Sequence, residues 1–426
     1  MRVLIVNTSE RTGGAAVAAH RLMDALNNHG VKATMLVGDR SGRKMQTNSL
    51  TVVSLKGRWR QQWHFLWERL VIFFHLHLRK KHLFELDIAI AGTDITRLRV
   101  FREADVIHLH WVNQGMLSLD GICKILRSGK PVVWTMHDMW PATAICHLTL
   151  GCNNFKTACR HCHFLPNGGS AHDLSARVWR KKQQVLAEAE NITFVTVSRW
   201  LAGYAQSSAL ISHFPIEVIP NAISLSRFTP MNRAEARAAL GIHEPVVLAF
   251  GAARIDDHIK GFCYLIRALQ WLLSNGRFAT GDIRLLLFGG VRDASVFDQL
   301  PISYTYLGYV NDETALSRIY SASDATISSS LYETFGQTLI EAMACGSVPV
   351  SFAGSGQADI IEHLQTGYLA DRLSAESLAE GIEWAVKSQV STQDLRGSVA
   401  RRFTEDALAG RYITLYERIL NKRNHD

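Results

Sequence analysis

Two carboxylates, Glu333 and Glu341, stand in a segment that reads strand, loop, helix, strand: Ser328-Ser-Ser-Leu-Tyr-Glu-Thr-Phe-Gly-Gln-Thr-Leu-Ile-Glu-Ala-Met-Ala-Cys-Gly-Ser-Val-Pro-Val350. Their separation would put them roughly 80° apart if both were helical, so the pair makes more sense with Glu333 on the loop and Glu341 in the helix. A helix that opens near Phe335 or Gly336 presents free backbone amides and the positive end of its dipole, a place where a diphosphate can sit. Gly336 lets such an anion approach closely. Glu341 then leans back toward the helix N-terminus, where it can accept bonds from ribose hydroxyls, while Glu333 grips a sugar. Taken in isolation, the same spacing describes a solvated glutamate and one that faces a helix dipole.

Further chemistry-bearing residues lie in the first half of the chain. Val132-Val-Trp-Thr-Met-His-Asp138 reads as a strand ending in a polar pair, at the sheet edge where α/β proteins bind ligands. His137 is the candidate there, and Asp138 either orients it or caps a turn. Gly13-Gly14 closes a strand-to-helix turn; the absence of G-x-G-x-x-G argues against a dinucleotide fold. Cys146, Cys152, Cys159 and Cys162 form C-x5-C-x6-C-x2-C. The Cys159-x2-Cys162 knuckle with two upstream thiolates suits a tetrahedral structural zinc that pins the loop after His137; free thiols or a redox pair are the alternatives.

Positioning these residues takes a sizeable scaffold. At 426 residues, with 47% hydrophobic and 20% charged, the chain has the composition of a soluble globular protein of two domains. Short apolar runs at Val3–Val6, Thr34–Val37, Val106–Leu109, Val132–Met136 and Phe194–Val197 alternate with helical stretches, the pattern of a parallel sheet covered by helices. After a crossover at Ile219-Pro-Asn-Ala222, a second α/β series follows, with strands at Val246–Phe250, Leu285–Phe288, Tyr306–Leu307, Thr326–Ser328 and Val348–Ser351. The expected division is 1–220, with a Cys-rich insert at 146–162; 221–403; and a last helix, 404–426, returning to the first domain.

The net charge of +8 favours an anionic partner, such as nucleotide phosphate, a lipid diphosphate or a membrane surface; no nucleic-acid motif accompanies it. The apolar run after Met1 is too short for a secretory signal, and Leu70–Leu78 is far below the roughly 20 residues of a spanning helix, so a cytoplasmic location is expected. The aromatic run from Arg58 to Lys81, with basic ends, reads equally as a helix lying on a membrane interface or as a core helix.

The E-x7-E element, with Phe335-Gly336 inside it and Glu-Ala-Met-Ala-Cys-Gly-x-x-Pro-Val at its end, resembles the signature of glycosyltransferase family 4, the glycosyl transferases group 1. The resemblance extends to Phe250-Gly-Ala-Ala-Arg254, Lys260-Gly261, Phe288-Gly-Gly290, Leu307-Gly-Tyr-Val310 and Ile219-Pro-Asn221, and so spans most of the chain. It implies a GT-B fold of two facing Rossmann-like domains and a retaining hexosyltransferase that uses a UDP- or GDP-sugar without a catalytic cofactor. The acceptor implied is a glycan or lipid-diphosphate-linked hydroxyl, in envelope polysaccharide synthesis on the inner face of the cell membrane.

The same resemblance implies that Arg254 and Lys260 bind the donor diphosphate, Tyr309 and Val310 the base, and His137 the transferred sugar. Gly13 and Gly14 would approach the donor phosphates and the acceptor, and Glu333 would position the donor. A phosphorylase is disfavoured by the lack of a pyridoxal-phosphate lysine site. A nucleotide-sugar epimerase of the same fold, or a non-catalytic nucleotide-sugar-binding protein, is the alternative.

Overall fold

The computed structural model describes residues 1–39, 52–55 and 57–423. The chain divides into two compact units, one of Met1–Pro220 with Leu408–Asp426, the other of Asn221–Ala407.

In the first unit the strands are β1 (Arg2–Ser9), β2 (Lys32–Asp39), β3 (Val52–Ser54), β4 (Val106–Leu109), β5 (Val132–Met136), β6 (Ile192–Thr196) and β7 (Ile216–Val218). They form one parallel sheet in the order β3-β2-β1-β4-β5-β6-β7. Val3 to Val6 are at most 1% exposed, which is why these strands read as unbroken apolar runs: helices cover both faces of the sheet. The chain reverses its direction of winding between β1 and β4, so the carboxyl ends of those strands flank the crevice in which such sheets bind ligands.

The second unit holds β8 (Val246–Arg254), β9 (Ile283–Gly290), β10 (Ser303–Tyr306), β11 (Ala325–Ser328), β12 (Val348–Phe352) and β13 (Tyr368–Ala370). Its order, β10-β9-β8-β11-β12-β13, repeats the plan of the first sheet, and its switch point falls between β8 and β11. The helices of this unit include Phe262–Ser274 and Gln337–Ala344, the latter opening where a helix near Phe335 or Gly336 was expected.

Three strands were not anticipated: β3, β7 and β13. Each has three residues, and β7 is partly exposed throughout, so none carries a buried run long enough to register as a period. The strand expected at Tyr306–Leu307 runs instead over Ser303–Tyr306.

The last helix, Glu405–Arg423, buries Tyr412 and Tyr416 in the first unit, where Arg411 also reaches the Val218 carbonyl and Arg418 pairs with Glu217. Residues 424–426 lie outside the described residues.

Candidate functional site

At the switch point of the second sheet, β8 leaves the ladder through an irregularity between Ala252 and Arg254. The Arg254 guanidinium there lies 3.0 Å from Asp257. A short turn, His258–Lys260, ends at Gly261, whose φ of 64° is left-handed. A Cβ at this position would lie 2.0 Å from the Ser329 carbonyl oxygen, so both the conformation and the space require glycine.

That close approach stitches the loop after β8 to the loop after β11. The Ser329 hydroxyl reaches the carbonyls of Lys260 and Gly261 at 3.1 and 2.9 Å, and the Leu331 amide donates to Ile259 at 2.7 Å. The result is an ion pair of 2.7 Å between Lys260 Nζ and Glu333 Oε2. Burial alone would lower the Lys260 ammonium, but the charge and hydrogen bond of Glu333, with Asp257 behind it, raise it above its ordinary value.

Glu333 is held from the other side as well, since the Gly356 amide donates to its carbonyl at 2.8 Å. Gly336, at φ 109°, then turns the chain into the helix Gln337–Ala344. Glu333 thus stands on the loop and Glu341 in the helix, the division their spacing requires. Glu341 is buried, 7% exposed, and the Tyr320 hydroxyl donates to it at 3.3 Å. Tyr309, 59% exposed in the loop after β10, is not a core residue, and Val310 beside it is partly exposed. The Phe335 ring is buried and packs edge-on against Phe403.

In the first unit, Gly13 (φ 90°) precedes the helix Gly14–Asn28, and a Cβ there would meet nothing within 4 Å, so the space in front of this turn is open. β1 and β4 continue to hold each other beyond the sheet: the Trp111 amide donates to Asn7 Oδ1 at 2.9 Å, and the Thr8 amide to the Trp111 carbonyl at 2.8 Å.

This splice brings His110 to the end of β5, where its Nδ1 lies 2.9 Å from His137 Nε2 with the rings stacked. Behind them His108 is hydrogen-bonded to the Tyr416 hydroxyl at 2.7 Å and to Thr135 at 2.8 Å. Burial lowers His137 to about 4, against a partly opposing pull from Asp138, and lowers His108 to about 3. His110 also falls well below its ordinary value, from burial and from the two neighbouring histidines. All three imidazoles are therefore neutral near pH 7, and one ring donates to the other across the His110–His137 bond.

Asp138 is engaged elsewhere. It accepts from the Trp140 amide and Trp111 Nε1, each at 2.8 Å, and from His147 Nδ1 at 2.7 Å. Burial would raise its carboxyl, yet His147 and these donors hold it below the usual range. Of the two roles open to it, Asp138 takes the turn cap and ties the cysteine-rich loop to β5. Lys182 fixes the same loop from beneath, with its buried ammonium donating to the carbonyls of Trp140 and Thr143 at 2.6 and 2.9 Å.

Cys146, Cys152, Cys159 and Cys162 line one cavity of about 20 Å³, and all four are free. The structure thus brings together the four cysteines whose spacing suggested a zinc site. Among the described residues no three His, Cys, Asp or Glu side chains are placed to hold a metal ion together.

His110 and Ser329 were not singled out from the sequence. His110 had a signal, since it immediately follows the strand Val106–Leu109 that borders the switch point. Ser329 is one of three consecutive serines, and nothing local marks it.

Two family models match the chain: Glycosyltransferase Family 4 over residues 12–227 and Glycosyl transferases group 1 over residues 232–403. A D-inositol 3-phosphate glycosyltransferase of Actinosynnema mirum is 31% identical over 251 residues, 54% of this chain and 58% of that relative. The chain thus spans little more than half of that relative's length. An uncharacterized glycosyltransferase of Methanocaldococcus jannaschii is 24% identical over 78% of this chain and 89% of its own. Among solved structures, sucrose-phosphate synthase from Thermosynechococcus elongatus superposes with a TM-score of 0.68 at 19% identity, covering 99% of this chain and 100% of that one. Anabaena HepE, solved with UDP and glucose, gives 0.62 at 16% identity, over 98% and 99% of the two chains.

Proposed function

The chain belongs to glycosyltransferase family 4 and carries its GT-B fold, and on that premise we propose that it is a retaining glycosyltransferase. Its donor is a UDP- or GDP-hexose. Its acceptor is a hydroxyl of a glycan or of a lipid-linked saccharide, met at the inner face of the cell membrane during envelope polysaccharide synthesis. Anabaena HepE, of the same fold, was solved with UDP and with UDP-glucose, which supports a nucleotide-sugar donor here.

The observation that carries the reading is the 2.7 Å pair of Lys260 and Glu333 at the second switch point, next to the helix that Gly336 opens. Departure of a nucleoside diphosphate leaves negative charge on the β-phosphate, and stabilising that charge is the main demand on the site. Arg254, Lys260 and the first amides of the helix Gln337–Ala344 meet it with fixed positive charge and aligned dipoles. Glu333 accepts from hydroxyls of the transferred sugar and Glu341 from the ribose, while Tyr309 and Val310 border the base. Gly13 and Gly14 leave room for the phosphates and the acceptor, and His137 contacts the sugar as a neutral imidazole.

The test is incubation with a panel of UDP- and GDP-sugars, reading nucleotide release with and without acceptor and the anomeric configuration of the product. Retained configuration and acceptor-dependent release are expected. Tight binding without release from any donor would point to a nucleotide-sugar-binding protein instead, and interconversion of free nucleotide sugars to an epimerase.

A further inference from the structure

The helix Arg58–His75 is built inside out. Its ionisable residues Glu68 and Arg69 are buried, at 0% and 6% exposure. Glu68 accepts the amides of Ile88 and Ala89 at 2.8 and 2.5 Å, and Arg69 bonds the carbonyls of Leu83 and Leu86 and the carboxylate of Asp87. Ile72 and Leu76 complete this inward face.

On the opposite side Trp59, Trp63, Leu66, Trp67, Leu70 and Phe74 are exposed, between 43% and 79%. At about 100° per residue these six positions fall within an arc of roughly 100°, a single stripe. Three tryptophans and a phenylalanine turned outward along one line, with the acid and the guanidinium turned in, form an apolar surface that water does not favour.

The charge around the stripe indicates what covers it. From residue 57 to 84 the sequence holds Arg58, Arg60, Arg69, Arg79, Lys80 and Lys81 against the single acid Glu68. Arg60, Arg79, Lys80 and Lys81 are exposed. Tryptophan prefers the boundary between headgroups and acyl chains, and lysine or arginine close to an anionic bilayer strengthens the attachment. Among the described residues no helix is long and apolar enough to cross a membrane, and this one spans roughly 27 Å, so it would lie in the plane of the interface.

We propose that the outward face of the helix Arg58–His75, with the basic turn Arg79–Lys81, docks the protein on an anionic phospholipid bilayer. This rests on the reading that the acceptor is lipid-linked, and it identifies the surface that meets the lipid.

The test is flotation of the full-length protein with vesicles of phosphatidylcholine alone or mixed with phosphatidylglycerol, without nucleotide sugar. Wild type is expected to float with the anionic vesicles and to be released by high salt. Trp63→Ser/Phe74→Ser should lose at least tenfold in partitioning, and Lys80→Glu/Lys81→Glu should lose the preference for anionic lipid, both with unchanged melting temperature. Equal flotation of wild type and Trp63→Ser/Phe74→Ser overturns the proposal. So does a wild-type dimer on gel filtration that ignores vesicles and becomes monomeric in that variant, since a second copy then covers the stripe. Nucleotide release is measured separately: vesicle binding without release from any donor leaves the docking surface standing and removes only the transferase reading.

Discussion

Lys260 Nζ and Glu333 Oε2 are 2.7 Å apart, and each belongs to a loop that the other loop holds in place through Ser329 and Leu331. The cation proposed for the diphosphate is thus already neutralised by the carboxylate proposed for the sugar. Donor binding has to redistribute this pair: phosphate draws on the ammonium while sugar hydroxyls replace it as donors to Glu333.

Opposite effects on affinity follow from that exchange. Lys260→Ala is expected to weaken UDP or GDP binding and to lower kcat/KM roughly 100-fold or more, as for loss of one charged transition-state donor. Glu333→Gln is expected to lower turnover by a similar order, yet to leave nucleoside diphosphate affinity unchanged or tighter, because Lys260 is released. Titration calorimetry with the free diphosphate checks this; a fall in affinity in both variants would show that the pair acts only as a structural tie.

His110 is expected to act through His137, whose Nε2 it meets at 2.9 Å. His110→Phe should cost about tenfold in kcat with little change in donor KM, and His137→Ala should cost more. His110→Asn, which keeps a hydrogen-bonding group at that position, should recover part of the loss. Equal activity of the Phe and Asn variants would deny His110 a positioning role.

Acid sensitivity follows from the same cluster. The folded-state values of His137 and His108 lie near 4 and 3, below the unfolded value of 6.5, so the unfolded chain takes up protons first as pH falls. Stability from this source is full above about pH 6.5 and is lost progressively as pH falls toward 4 for His137 and toward 3 for His108. Melting temperature should drop by several degrees between pH 7.5 and pH 5, at about 2–4 °C per kcal/mol for a large domain. His108→Gln should flatten the dependence, and an unchanged slope in that variant would refute the assignment.

Two glycines should respond differently to the same change. Gly261→Ala drives a Cβ into the Ser329 carbonyl and is expected to cost about 2 kcal/mol or more, together with activity, since it parts the two loops. Gly13→Ala meets only open space and should cost about 1 kcal/mol, from its positive φ alone. Chemical denaturation of both variants decides this.

Much of the scaffold was readable because both sheets are buried on two faces: Val3–Val6 of β1, Val246–Phe250 of β8 and Leu285–Phe288 of β9 are continuous apolar runs that admit few alternatives. The placement of Glu333 and Glu341 followed from local spacing and one glycine. What the sequence hid was long-range. The ring contact of His110 with His137, and Ser329 serving two carbonyls of another loop, depend on which strands become neighbours. The four cysteines, by contrast, were legible as a cluster from their local spacing, and they line one cavity. The aromatic helix was legible as amphipathic, but that Glu68 and Arg69 point inward depended on amides and carbonyls near residues 83–89, which no periodicity encodes.

The hydroxyls of Tyr412 and Tyr416, in the last helix, lie beneath Thr135 and His108 in the first unit. Translation delivers them only after the whole of the second unit. The unit Asn221–Ala407 is contiguous and can fold on its own segment, whereas the unit that begins the chain must wait, with its histidine cluster unfinished, until the second unit has been synthesised. A chain ending just before residue 412 would therefore carry a complete second unit and an incomplete first one, the reverse of the order in which the two were encoded.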